Sequence, residues 1–141
     1  STLSSSSAAS DVYKRQMYMS NVTFKTLKDK NNQSEFIQFV QDLPDKDRIK
    51  LLTTIQKIEE EGIQIAIRMK WVKKLDNNLY EIRSKFGSNI QRAIYFQKVN
   101  NEYIITHGFT KKTQETPKRE IEHGMNSIKR YRKGELYEYD F

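Results

Sequence analysis

The chain has 141 residues, with 25 Lys or Arg against 18 Asp or Glu, a net charge of +7, two His and no Cys. No cysteine means no disulfide and no thiolate metal site, two His alone cannot build a structural zinc site, and no stretch approaches the ~18 apolar residues of a membrane span. What remains is one domain with one core, read as cytoplasmic. The excess charge pools in residues 79–133, where twelve Lys or Arg face five Glu. Such a density fits a polyanionic partner, the alternative being a lysine-rich solvated surface.

Residues 1–16 stand apart as a leader. Ser1–Ser10 carries no charge and no hydrophobic period. That fits neither a secretory signal nor a transit peptide, and fits a disordered tail. Ser6–Gln16 reads Ser-Ser-Ala-Ala-Ser-Asp-Val-Tyr-Lys-Arg-Gln, an in-frame translation of a common transposase-based sequencing adaptor. The leader is therefore expected to be non-native, the natural chain to begin at Met17 or Met19, and the source to be bacterial or phage DNA from a mixed sample. A single domain over 17–133 and an acidic tail over 134–141 follow.

Asn21–Leu27 alternates and is rich in β-formers, which predicts a first strand. Ser34 can cap a helix whose apolar face is Phe36, Ile37, Phe39, Val40 and Leu43, ended by Pro44. Asp45 can cap a second helix with a stripe of Ile49, Leu52, Ile55 and Ile58, widened by Leu51, and Gly62 is its expected stop. Ile63–Leu75 suits either a strand or an irregular connection that packs Trp71 and Leu75 inward; the connection is favoured. Leu79–Phe86, Ile90–Lys98 and Glu102–Phe109 read as three strands, with turns at Gly87-Ser88-Asn89 and Asn100-Asn101 making them antiparallel neighbours. Thr116 and Pro117 supply an N-cap and a first-turn proline for a last helix, with Ile121, Met125 and Ile128 inward. The order β-α-α-β-β-β-α predicts a small α+β domain, its sheet covered by helices on one side.

"LYEIRSKFGSNIQRAIYF" followed by "HGFTKKTQETPKREIEHGMNSIKRY" resembles the phage-related branch of the RelE/HigB toxin superfamily. The resemblance runs from about Val22 to Arg132. It implies a small antiparallel sheet flanked by helices, RelE/ParE-like, and a toxin of a type II toxin–antitoxin pair. It further implies an endoribonuclease that cuts mRNA on the ribosome without metal or other cofactor. The implied partners are mRNA, the ribosome and a cognate antitoxin with a helix-turn-helix domain, with no membrane. A ParE-like gyrase inhibitor and a non-catalytic RNA-binding phage protein stand as alternatives, because fold alone does not fix function.

Metal-free RNA cleavage uses the substrate's 2′-OH as nucleophile, so the protein must move protons and stabilise a doubly charged phosphorane. Arg and Lys suit the second task. Strand alternation puts Glu81, Arg83 and Lys85 on one face, opposite Tyr80 and Ile82. Arg83 then binds phosphate and Glu81 orients it or acts as base, unless the three form only a solvated face. Arg92 sits at the margin of a core face with Ile94 and Phe96, a structural arginine or a phosphate ligand. His107, in alternation with Ile105 and Phe109, is a hydrogen-bonded structural residue or a proton donor. Lys111 and Lys112 leave the sheet next to His107 in a flexible loop before the last helix, either an ordinary basic loop or one that binds phosphate and stabilises transition-state charge. Tyr95 or Phe109 can stack on a base. Lys118 and Arg119, with the basic end of the last helix, fit RNA docking.

Overall fold

Ten elements follow one another in the computed structural model, which describes residues 22–113 and 115–141; the leader and both candidate start sites lie outside the described residues. They are β1 (Thr23–Lys28), α1 (Glu35–Asp42), α2 (Asp45–Glu61), α3 (Ile63–Arg68), β2 (Val72–Asp76), β3 (Leu79–Phe86), β4 (Asn89–Val99), β5 (Glu102–Lys111), α4 (Lys118–Arg132) and β6 (Tyr137–Tyr139). The fold is α+β, as expected, on one six-stranded sheet in the order β2-β3-β4-β5-β1-β6.

The sheet is antiparallel except where β1 lies parallel to β5. That pairing requires a crossover, and α1–α3 lie in the chain that makes it. Val99 and Glu102 are partners, so Asn100-Asn101 is a two-residue turn, with Asn100 at φ 49°. Phe86 and Asn89 are partners too, leaving Gly87-Ser88 as the turn and Asn89 inside β4; Gly87 stands at φ 60°, open to glycine at no steric cost.

Ser34 caps α1, its side chain accepting the Ile37 N–H. Three expectations are corrected at the helices. Pro44, not Asp45, occupies the cap of α2, and Asp45 instead pairs with Arg48 one turn on. Along α2 the buried apolar residues are Leu51, Ile55 and Ile58, beside buried Asp47 and Thr54, while Ile49 and Leu52 face out. The α2 inward stripe therefore runs through Leu51 and is not aligned on Ile49. Ile63–Leu75 is not an irregular connection: it holds α3 and most of β2, with Trp71 and Leu75 partly buried against the core.

Helices cover both faces of the sheet rather than one. On the first face, α1–α3 pack over Phe24, Ile82, Ala93, Tyr95, Tyr103 and Ile105. On the second, α4 packs over Leu27, Leu79, Ile94, Phe96 and Ile104 through Ile128, Ile121 and Met125. Two glycines permit these close approaches. A Cβ on Gly108 would stand 2.3 Å from the Phe39 ring, and one on Gly124 would meet Ile94 and Leu79 at 3.0 Å. The acidic C-terminal segment adds β6 against β1 and does not fold over the basic face; Glu138 ion-pairs with Lys25 and Lys98.

Candidate phosphate-binding site

The second face is only partly roofed by α4. Toward the β3–β4 turn it carries charge. Strand alternation sends Glu81, Arg83 and Lys85 to this face, and the pairing of Arg83 with Arg92 sets two guanidinium groups on adjacent strands. On β5, Phe109 pairs with Arg92, and Lys111 stands two residues further on the same face; it is not in a flexible loop as expected but is the buried last residue of β5, paired with Ile90. Lys73 of β2 pairs with Glu81 from the other side.

Glu81 is fully buried at the centre. Its Oε2 lies 3.5 Å from Arg92 Nε and 3.9 Å from Arg83 Nε. Its Oε1 accepts a hydrogen bond from the Thr116 hydroxyl at 2.5 Å. Thr116 precedes α4, so the loop after β5 reaches across β4 to β3 and is pinned there. Pro117 takes the cap position that Thr116 was expected to fill. The Arg92 side chain is 6% exposed and that of Arg83 is 33% exposed, so one guanidinium is built into the floor and the other reaches water.

The electrostatics are unbalanced. Glu81 is one negative charge among Arg83, Arg92, Lys111 and Lys73, which all act on the same locus. Burial pulls Arg92 below the usual arginine value, with Glu81 opposing and Arg83 reinforcing. Burial also pulls Lys111 down, and Arg92 adds to it. Arg92 Nε and Glu81 Oε2 have no hydrogen-bond partner among the described protein groups. Several cations gathered round one buried carboxylate leave room, electrostatically, for an anion.

The phage-derived Gp49-like family (DUF891) matches residues 38–129, more than half of the chain. The chain belongs to the Gp49-like family. No curated protein matches it. The matched span contains every member of the charged cluster, and ends before β6.

Within this Gp49-like domain the other candidates are dispersed. Lys112 is exposed just past β5, and Lys85 is exposed near the end of β3. Lys118 and Arg119 are exposed in the first turn of α4. Tyr95 lies on the opposite face, stacked on Tyr80 at 5.3 Å and edge-on to Phe24 at 5.1 Å, and burial pushes its phenol up. It presents no ring to a base. Phe109 is half-buried against the α4 side and stacks on His107 at 6.3 Å.

His107 is separated from the cluster by Ile94, which pairs with both Glu81 and His107. A register shift beside Ile94 makes Thr106 an extra residue, so Ile105 and His107 face opposite sides instead of alternating on one. Burial, with His123 adding, holds the His107 imidazole down at about 4, so the ring is neutral at pH 7. It contacts Glu120 and Thr106. Sequence reasoning missed Thr116 as a partner of Glu81, because its position before Pro117 already had an ordinary explanation. It missed Lys73 because β2 was not read as a strand.

Proposed function

We propose that the protein is a toxin of the type II toxin–antitoxin class that cuts mRNA as a metal-independent endoribonuclease on the ribosome. The observation that carries this reading is the buried Glu81 carboxylate surrounded by Arg83, Arg92 and Lys111, a cluster with surplus positive charge from which Arg83 reaches water. Membership of a phage-derived family and the resemblance to RelE/HigB toxins support it.

The chemistry follows from the charges. Arg83, the exposed guanidinium, takes the scissile phosphate, and Arg92 and Lys111 deepen the positive field beneath it. Glu81 does not touch substrate; it is a positioning residue that holds the guanidinium groups in register. The 2′-oxygen attacks phosphorus as its proton leaves to water, the bond to the 5′-oxygen breaks, and the products are a 2′,3′-cyclic phosphate and a 5′-hydroxyl. Lys111, made easier to deprotonate by burial and by its cationic neighbours, gives the leaving oxygen its proton. Exposed Lys85, Lys112, Lys118 and Arg119 extend the surface along the RNA backbone. An antitoxin whose acidic segment covers this cradle is the matching neutraliser.

The test is expression of the full chain with and without a neutralising antitoxin, followed by mapping of RNA 5′ ends, and the same for Arg83→Ala. Ribosome-associated cuts that fall by about 10²–10³-fold in the variant, at unchanged thermal stability, are expected. Growth arrest with intact transcripts and relaxed DNA would point to gyrase instead and overturn the reading.

A further inference from the structure

The only two histidines of the chain meet. β1 ends at Lys28, and the last residue of β5 paired with it is Ile105. Beyond that point the β5 edge is free of β1, and the first turn of α1 and the first turns of α4 approach each other there. His107 comes from β5, Glu35 from α1, and Glu120 and His123 from α4. Glu120 and His123 are three apart and so share a helix face.

The distances suit a small cation. Ligand atoms of Glu35, His107 and His123 all lie within 4.8 Å of one another. His123 Nε2 is 2.6 Å from Glu35 Oε2, and His107 Nε2 is 3.1 Å from Glu120 Oε1. In a tetrahedral zinc site with bonds of 2.0–2.1 Å, neighbouring ligands stand about 3.3 Å apart. The rings are edge-to-face with centroids 4.3 Å apart.

The far side of the His107 ring points the same way. The Thr106 hydroxyl lies 3.3 Å from Ile94 O, to which it donates, and 2.9 Å from His107 Nδ1. In the tautomer whose Nδ1–H donates to that hydroxyl, His107 Nε2 offers a lone pair toward the Glu120 carboxylate, where a cation would sit between them. A hydrogen bond from the far ring nitrogen that fixes the imidazole is what metal-ligating histidines show. His107 is buried at the back, while the side chains of His123 and Glu35 are 38% and 57% exposed, which leaves an open way in.

We propose that His107, His123 and Glu35 form a three-ligand site for a divalent transition-metal ion, Zn²⁺ above the others, with Glu120 at its margin beside His107. Its donor set of two imidazole nitrogens and a carboxylate oxygen suits zinc better than the oxygen-seeking Mg²⁺ or Ca²⁺. With one ligand from each of α1, β5 and α4 and water in the fourth position, the ion is a clip joining those elements. It takes no part in the cleavage chemistry, and its loss would leave the arginine cradle as described.

The experiment uses the full chain, purified free of metal, and adds Zn²⁺, Co²⁺ or Mg²⁺ chloride alone. Expected are one Zn²⁺ bound per chain, a raised melting temperature, no response to Mg²⁺, and the intense visible bands of four-coordinate Co²⁺. With two histidines in the chain, ring ¹⁵N spectra show only two sets of signals, and both move with zinc. His123→Ala and Glu35→Gln change rim residues and keep the fold; each is expected to weaken zinc binding by more than about tenfold and to remove the Co²⁺ bands. Zinc bound equally by wild type and both variants would be adventitious and would sink the proposal. So would imidazole signals unmoved by zinc, the signature of the other tautomer, in which His107 Nε2–H simply donates to Glu120.

Discussion

The two faces of the sheet are made by the same strands and bury different chemistry. Under α1–α3, Phe24, Tyr80, Tyr95 and Tyr103 form a cluster of rings at 5.1–5.6 Å. The aliphatic side chains of α2 close over them. Under α4 an apolar patch of similar type gives way, toward the β3–β4 turn, to Glu81, Arg92 and Lys111, all buried. Burying these charges costs free energy that aromatic packing does not. A domain with a complete apolar core on one side has no structural need of them on the other. The asymmetry separates what holds this fold together from what it is for.

The largest effect expected from this contrast is on stability. Ile58 is fully buried in the first-face core. Ile58→Ala should cost about 2–5 kcal/mol of unfolding free energy by removing buried methyl groups and leaving a cavity. The RNA cleavage proposed above should proceed at an unchanged rate in the molecules that remain folded. Denaturant titration and rate measurements on the same samples check both halves. A large rate loss at full folding would break the division between the faces.

A smaller effect probes the join between them. Thr116→Val keeps the shape and removes the hydroxyl that donates to Glu81 Oε1. Loss of a hydrogen bond to a buried charged group is expected to cost about 1.5–3 kcal/mol. In the proposed mechanism Glu81 positions both guanidinium groups, so the proposed cleavage should fall as well, and Thr116→Ser should restore it. A valine variant as active as wild type would mean that the loop does not help to organise the cradle.

The parts of the fold that were legible in the sequence are those set by local rules. Ser34, Gly62 and the asparagine and glycine turns each do what their own chemistry dictates. Strand alternation alone places Glu81 beside Arg83, and the short hairpins bring Arg92 opposite. What stayed hidden depends on distant partners. Tyr137–Tyr139 is a strand only because β1 offers an edge. Ile63–Leu75 divides into helix and strand because Lys70, at φ 63°, turns the chain between them. His107 changes faces relative to Ile105 through a one-residue bulge that nothing in its neighbourhood announces. A site built on such a bulge is invisible to period-two reasoning.

The mildest test concerns the sheet edge furthest from the cradle, and depends on pH. Glu138 of β6 lies 2.8 Å from Lys98 Nζ and accepts the Tyr131 hydroxyl. Those hydrogen bonds, Lys98 first, hold its carboxyl below the ordinary value near 4.5. A carboxylate depressed in the folded state stabilises at every pH above its unfolded value and loses that contribution as pH falls through the folded value. The loss therefore begins below about 4.5, and it should be local, because β6 joins the sheet only through β1. Amide exchange at Tyr137–Tyr139 is expected to quicken in that range while β3 and β4 stay protected. Glu138→Gln should quicken it already at neutral pH and remove its acid dependence. Loosening that spread at the same pH to Arg83 and Arg92 would show that the edge and the cradle respond as one unit, and the separation of holding from working surfaces would have to be redrawn.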